Sequence, residues 1–166
     1  MIHVPAPDPF TVFGVPRSLD LDAKALEKRY LVLSRECHPD LLRSQETGDC
    51  LAVLQRAAEI NDAWKVLRDP WQRARALLEA QSPGVLDRNK KLDPTFLAEA
   101  LELAEEVAFA RPDAIPALRA RLQQALADDL AALRDAVARG DIDGAAKRFH
   151  ASHYHQKALQ DLDRKA

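Results

Sequence analysis

Apolar residues recur three and four positions apart along nearly the whole chain, which is the spacing of amphipathic helices. No stretch alternates apolar and polar residues in the way that a half-buried strand does. Aspartate–proline pairs and isolated glycines interrupt the pattern where helices are expected to begin and end. The chain is therefore predicted to be all-α, with an N-terminal helical hairpin followed by a C-terminal antiparallel three-helix bundle.

The N-terminal part, residues 1–80, is predicted to be one domain built around the hairpin. A short helix is expected between the capping residue Asp8 and Gly14. The three helices that follow have predicted positions 22–37, about 50–68, and a short helix opened by Asp69-Pro70. In the second helix the apolar residues lie on one face and the basic residues Lys24, Lys28 and Arg35 lie on the opposite face.

Residues 81–92 contain proline, glycine and basic residues without a sustained period, so they are predicted to be a linker. The C-terminal domain, residues 93–166, is expected to hold three helices joined by short connections. The first begins at Asp93-Pro94 and reaches about Ala110, the second runs from Ile115 towards Gly140, and the third is capped by Asp141.

The composition narrows the possible functions. Of 166 residues, 47 % are hydrophobic and 30 % are charged, with a formal net charge of -2, which gives no reason to expect nucleic acid or a membrane as partner. Only Cys37 and Cys50 are present, so a disulfide framework is not expected and a reducing cytoplasm fits best. The intact Met1 favours a bacterial cytoplasmic location over a processed organellar one. No glycine-rich phosphate loop occurs, and neither nucleotide-binding enzyme activity nor a cofactor is predicted.

The segment CHPDLL follows the basic helix and lies in the loop of the predicted hairpin. Pro39 stiffens this loop, which reduces the entropy lost when the loop docks on a partner. Asp40 offers a carboxylate suited to an arginine of another protein, and His38 can donate a hydrogen bond that holds the turn. The alternative is an ordinary proline turn beside a solvated charged face.

A second alternative is a reactive Cys37–His38 pair. A cysteine nucleophile needs partial exposure and a base that faces it, but neighbours in sequence do not face one another on a helix. Because Cys37 also completes the apolar face of its helix, a small core side chain is the preferred interpretation.

The string KALEKRYLVLSRECHPD, followed by AAEINDAWKVLRDP, resembles the J domain of DnaJ co-chaperones. With PFTVFGVP before it and FLAEALELAEEV after it, the whole chain is similar to the HscB family, the J-domain co-chaperones of iron–sulfur cluster assembly. The resemblance implies a co-chaperone rather than an enzyme, which binds a DnaK/HscA-type chaperone and stimulates its ATP hydrolysis. The residues implied in that contact are His38, Pro39, Asp40, Lys24, Lys28 and Arg35. One departure is Leu41, where many J domains have lysine.

The helix that begins at Asp93 has two adjacent apolar rows and an acidic flank. The rows are Phe96, Ala100, Leu103, Val107 and Leu97, Leu101, Ala104, Ala108, and the acids are Glu99, Glu102, Glu105 and Glu106. Either both rows are core, or one row is a docking surface for a partner with a basic rim. The family resemblance implies the second, with an IscU-type scaffold protein bound by Leu97, Leu101, Glu102, Glu105 and Tyr154. Ala98 and Phe109 depart from the family pattern.

Three histidines, His150, His153 and His155, lie on the last predicted helix. His150 and His153 are one turn apart, a spacing that can chelate a transition metal, but two imidazoles do not complete a site. They are interpreted as exposed helix histidines, and no metal site is predicted.

The alternative to a co-chaperone that binds one scaffold protein is a general J-domain co-chaperone for unfolded clients.

Overall fold

The computed structural model describes residues 7–37 and 47–165. Every regular element in these two ranges is helical. The helices are α1 Pro9–Phe13, α2 Ala23–Glu36, α3 Thr47–Arg68, α4 Pro70–Gln81, α5 Val85–Arg88, α6 Pro94–Ala108, α7 Ile115–Ala138 and α8 Ile142–Asp163. They form two compact units, the first ending at Ala80 and the second beginning at Gln81. None of these helices combines the length and the apolar character that crossing a bilayer requires.

The predicted capping residues define the ends of the first helix. The Asp8 carboxylate accepts a hydrogen bond from the Phe10 backbone N–H at 3.2 Å, and Pro9 occupies the first helical position. Gly14 ends the helix in the left-handed conformation, with φ of 63°. Phe10 and Phe13 are thereby buried in the first unit, as the sequence predicts.

Helices α2 and α3 form the predicted hairpin around a row of aromatic rings. The Trp64 ring of α3 stacks on Tyr30 of α2, with 4.9 Å between centroids, and on Phe13 of α1, with 6.3 Å. The Tyr30 hydroxyl also donates to the Asn61 side chain at 2.9 Å. Helix α3 begins at Thr47, three residues earlier than the sequence pattern indicated. The sequence pattern missed this first turn because it contains a glycine, which is a weak helix former.

Arg73 is a buried residue of α4 that the sequence did not identify as structural. Its Nε donates to the Leu67 carbonyl at 2.8 Å, and its terminal nitrogen donates to the Leu19 carbonyl at 2.7 Å. Burial lowers the pKa of Arg73, while the nearby carboxylates of Asp69 and Asp20 act in the opposite direction. The side chain therefore joins the end of α3 to the segment before α2.

Replacing Arg73 with methionine is expected to destabilise the first unit by about 2–4 kcal/mol, because two buried carbonyls lose their donors. Both tryptophans of the chain, Trp64 and Trp71, lie in this unit, so their fluorescence during urea unfolding reports on it specifically. The matched control is Arg75→Met on the exposed side of the same helix. Equal unfolding midpoints for the two variants would show that the Arg73 hydrogen bonds are not stabilising.

In the second unit, α8 is the central helix and packs against α5, α6 and α7. Its buried side chains meet those of α6 and α7 in one apolar cluster. The members of this cluster are Val107, Ile115, Leu118, Leu122, Ala158 and Leu162. Between α7 and α8 the chain turns at Gly140, with φ of 74°, and the Asp141 carboxylate caps α8 by accepting from Gly144 N–H at 2.8 Å.

Within residues 81–92, predicted to be a linker, Val85–Arg88 form the short helix α5, which packs on α8. Val85 and Leu86 are buried. Asn89 is also buried, and its side-chain amide donates to the Val85 carbonyl at 3.0 Å and to Asp143 of α8 at 2.7 Å. Four residues are too few to show a helical period in the sequence, so only these tertiary contacts identify the element.

The interpretation of the three histidines as exposed is correct for His153 and wrong for His150 and His155. His150 is half-buried, with its Nε2 2.7 Å from the Leu86 carbonyl. His155 is also half-buried, with its Nδ1 2.6 Å from a carboxylate oxygen of the buried Asp129 on α7. Both are covered because α8 is central rather than peripheral. In the described ranges, no three or more His, Cys, Asp or Glu residues are grouped in a way that could hold a metal.

Candidate functional site

The basic residues predicted to contact a chaperone lie on the solvent side of α2. Lys24, Lys28 and Arg35 are all exposed, whereas Leu26 and Leu33 on the opposite side are buried. The N-terminus of α2 is fixed by Asp22, whose carboxylate accepts from the Ala25 N–H at 2.6 Å. The structure therefore places the three cations on one exposed helical face of the first unit.

An exposed leucine lies within this basic face, and the sequence interpretation missed it. Leu31 is 49 % exposed. It lies one helical turn from Lys28 and one turn from Arg35, on the same face of α2. Across the hairpin, Leu51 and Leu54 of α3 are exposed as well. These leucines could have been identified from the sequence, because they fall outside the apolar face of their own helix.

The loop residues His38, Pro39 and Asp40 fall outside the described residues, and their roles remain predictions. The structure does give the described helix ends on either side of these residues. Helix α2 ends at Glu36, with the half-buried free cysteine Cys37 as its cap, and α3 begins at Thr47. In the sequence, His38 thus follows directly after the cap of the helix that carries the basic face.

On α6, the two apolar rows have different environments. The row of Phe96, Ala100, Leu103 and Val107 is half-buried or buried. In the other row Leu97 is 40 % exposed and Leu101 is 63 % exposed, and Ala104 and Ala108 are exposed too. The reading in which both rows are core is therefore wrong for this unit, because α8 covers only one side of α6. We call the exposed row, Leu97, Leu101, Ala104 and Ala108, the docking face.

Tyr154 brings an aromatic ring from α8 to the side of α6. Its ring meets that of Phe96 edge to face, with 5.6 Å between centroids, and the residue is 41 % exposed. Edge-to-face packing fixes the ring while leaving part of its surface accessible to a partner. The family resemblance implies Tyr154 as a scaffold contact. In the structure it lies beside α6, the helix that carries the docking face.

The acidic residues of α6 separate into two groups. Glu99, Glu102 and Glu105 are exposed, and Glu102 and Glu105 lie in the helical repeat next to the docking face. Glu106 instead forms an ion pair with Arg121 of α7. We call Glu102 and Glu105 the acidic edge.

At the start of the helix, a hydrogen bond from the Thr95 backbone N–H lowers the pKa of Asp93, which keeps this capping carboxylate ionised.

Two positions that depart from the family pattern are also exposed. Ala98 is exposed on α6, and Phe109, at the C-cap of α6, is 84 % exposed. A large aromatic side chain with so little cover extends the apolar surface beyond the last turn of the helix.

Comparison with known proteins assigns both units. Residues 8–76 match the DnaJ domain, and residues 92–163 match the HSCB C-terminal oligomerisation domain. The chain is 34 % identical over 163 residues to the co-chaperone protein HscB homolog of Bordetella pertussis, with 95 % of each chain covered. The chain belongs to the HscB family. The HscB homolog of Bordetella petrii is 31 % identical over the same length and coverage.

Solved HscB structures confirm the fold prediction. Chaperone HscB from Vibrio cholerae superposes with a TM-score of 0.82 and 29 % identity, covering 95 % of this chain and 96 % of that one. Human co-chaperone HscB has a TM-score of 0.85 at 23 % identity, with coverages of 98 % and 83 %, and supports the fold alone. The chain is thus an all-helical HscB-family J-domain co-chaperone of iron–sulfur cluster assembly, and its first unit is the J domain.

Proposed function

We propose that this chain is an adaptor of iron–sulfur cluster biogenesis in the bacterial cytoplasm. It binds a DnaK/HscA-type chaperone through the J domain, stimulates the chaperone's ATPase, and delivers an IscU-type scaffold held by the second unit. The observation that carries this proposal is the uncovered apolar face of α6, which lies in the same chain as an exposed basic face that leads into His-Pro-Asp.

The chaperone contact combines electrostatic steering with a short rigid anchor. Lys24, Lys28 and Arg35 form a positive stripe that attracts an acidic surface and raises the association rate. Leu31 within the stripe adds apolar contact area at its centre. Asp40 then pairs with a cation of the chaperone, and its charge-assisted hydrogen bonds give the contact its specificity. ATP hydrolysis itself is performed by the chaperone.

The scaffold contact has the form of a protein interface with an apolar centre and a charged rim. Leu97 and Leu101 lose water when a partner covers them, and Tyr154 supplies an aromatic anchor of the type that is enriched in binding hot spots. The acidic edge then favours a partner that presents lysine or arginine beside its apolar patch. A narrow face of this kind is suited to one folded partner rather than to many unfolded clients.

Two weak contacts in one chain strengthen each other. A scaffold held by the second unit meets the chaperone at the high effective concentration set by the covalent connection to the J domain. The adaptor therefore needs only modest affinity at each site.

The proposal is tested by measuring steady-state ATP hydrolysis of the chaperone alone, with the full chain, and with the full chain plus scaffold. We expect the chain to raise the rate and the scaffold to raise it further at limiting chain concentration. A scaffold that binds the chain but leaves stimulation unchanged would contradict the adaptor role. Replacement of the scaffold by an unfolded client with equal effect would favour the general co-chaperone instead.

A further inference from the structure

A groove of about 440 Å³ lies between α6 and α8, directly beside the docking face. Its α6 wall is formed by Ala100, Ala104 and Ala108 together with the buried Val107, and the three short alanine side chains leave the groove open where longer residues would fill it. Its α8 wall begins at Tyr154 and continues with charged residues towards the end of that helix. Two residues of the docking face, Ala104 and Ala108, therefore also form one side of this groove.

The charged residues of the groove give the docking face two borders of opposite sign. The cations Lys157, Arg164 and Lys165 line the groove, and Asp161 is the one carboxylate among the described residues that line it. Glu102 and Glu105, the acidic edge, carry the opposite charge. Around α6, the acidic edge and the buried row lie on opposite sides of the docking face.

Asp161 is already paired with two cations at the C-terminal end of α8. The Lys157 Nζ lies 2.8 Å from a carboxylate oxygen of Asp161, and Arg164 pairs with the same oxygen. Lys165 donates to the Ala108 carbonyl at the C-terminal end of α6. Lys157 and Arg164 thus share one anion, which leaves positive charge on the groove for a second anion to neutralise.

We infer that the groove between α6 and α8 receives a carboxylate side chain of the scaffold partner, next to an apolar side chain that packs over Ala104. This inference rests on the proposed function and adds the charge pattern of the partner. The partner segment presents an acidic residue towards α8, an apolar residue at the centre, and a basic residue towards the acidic edge. Because the two borders differ in sign, a reversed segment meets like charges on both sides, and only one orientation is favoured.

Two substitutions on α8 are expected to change scaffold binding in opposite directions. Lys157→Gln removes a cation that faces the incoming carboxylate and should weaken the scaffold Kd about two- to fivefold, mainly through slower association. Asp161→Asn releases Lys157 and Arg164 from their internal partner and should tighten the Kd by a similar factor. Surface plasmon resonance with purified scaffold, at low and high ionic strength, measures both the affinity and the association rate.

The two variants control for each other, because both break the same ion pair between Lys157 and Asp161. Loss of α8 stability would therefore weaken binding in both, whereas the inferred contact predicts opposite signs. Lys147→Gln is a matched control, since Lys147 is exposed on the same helix but lines a different groove. It should leave the Kd unchanged.

The outcomes separate this inference from the function on which it rests. Scaffold binding that is normal in wild type, sensitive to Leu97→Ala with Leu101→Ala, and unaffected by Lys157→Gln and Asp161→Asn would overturn the groove contact alone. Weakening by both variants would also overturn it, because their opposite signs would be lost. Absence of scaffold binding by the wild-type chain would overturn the proposed function together with the inference.

Discussion

Asp40→Asn is expected to abolish stimulation of the chaperone ATPase, while folding and scaffold binding are retained. Asparagine has nearly the same shape as aspartate but carries no charge, so it cannot form the charge-assisted pair proposed with a cation of the chaperone. Loss of such a pair costs about 2–5 kcal/mol of binding free energy, which corresponds to a more than tenfold loss of affinity. The measurement is the ATPase rate as a function of co-chaperone concentration, so that a lower maximum is distinguished from weaker binding.

The matched control for that experiment is Asp62→Asn. Asp62 is an exposed residue of α3 whose carboxylate pairs only with Lys65 of the next helical turn, at 2.9 Å, among the ion pairs of the described residues. The same chemical change at this position should leave stimulation at the wild-type level. Equal loss in both variants, or full stimulation by Asp40→Asn, would show that the Asp40 carboxylate is not the anchor.

The double substitution Leu97→Ala and Leu101→Ala is expected to weaken scaffold binding by about 2 kcal/mol, or about 30-fold in Kd. Both leucines are exposed in the isolated chain, so truncation removes apolar area from the interface without leaving a cavity in the unit. Isothermal titration calorimetry against the scaffold measures the loss, and thermal unfolding of the variant should match that of wild type.

An equivalent change in the other unit provides the comparison. Leu51→Ala with Leu54→Ala removes two exposed leucines from α3 and should leave the scaffold Kd unchanged. Wild-type scaffold affinity in the Leu97 and Leu101 variant would rule out the docking face. An equal loss in both double variants would indicate that exposed leucines act nonspecifically rather than as a site.

Sequence reasoning succeeded where a structural feature depends on neighbouring residues. Asp22 and Asp141 cap helices, and Gly14 and Gly140 end them, as their spacing to apolar residues predicts. These signals are local because each cap bonds to backbone groups two or three residues away. They located the ends of most helices closely, and the buried row of α6 followed from the helical period.

Features that depend on distant residues were missed. Arg73 bonds to Leu19, 54 residues away, and His155 bonds to Asp129, 26 residues away. Neither partner can be read from local spacing, since a polar residue in a helix gives the same pattern whether it is solvated or satisfied internally. The sequence also left open whether Leu97 and Leu101 belong to the core. A leucine can be buried or exposed, and only the packing of the other helices decides which.

The central position of α8 has a consequence for biosynthesis. Among the elements of the second unit this helix is translated last, yet it supplies Tyr154 and the residues against which α6 packs. The J domain can fold while the ribosome is still producing the second unit, because domains fold as units from the N-terminus. Under the proposed function, a nascent chain would therefore be able to bind the chaperone before it can bind the scaffold, and a chain truncated within α8 by ribosome stalling would lack the scaffold contact.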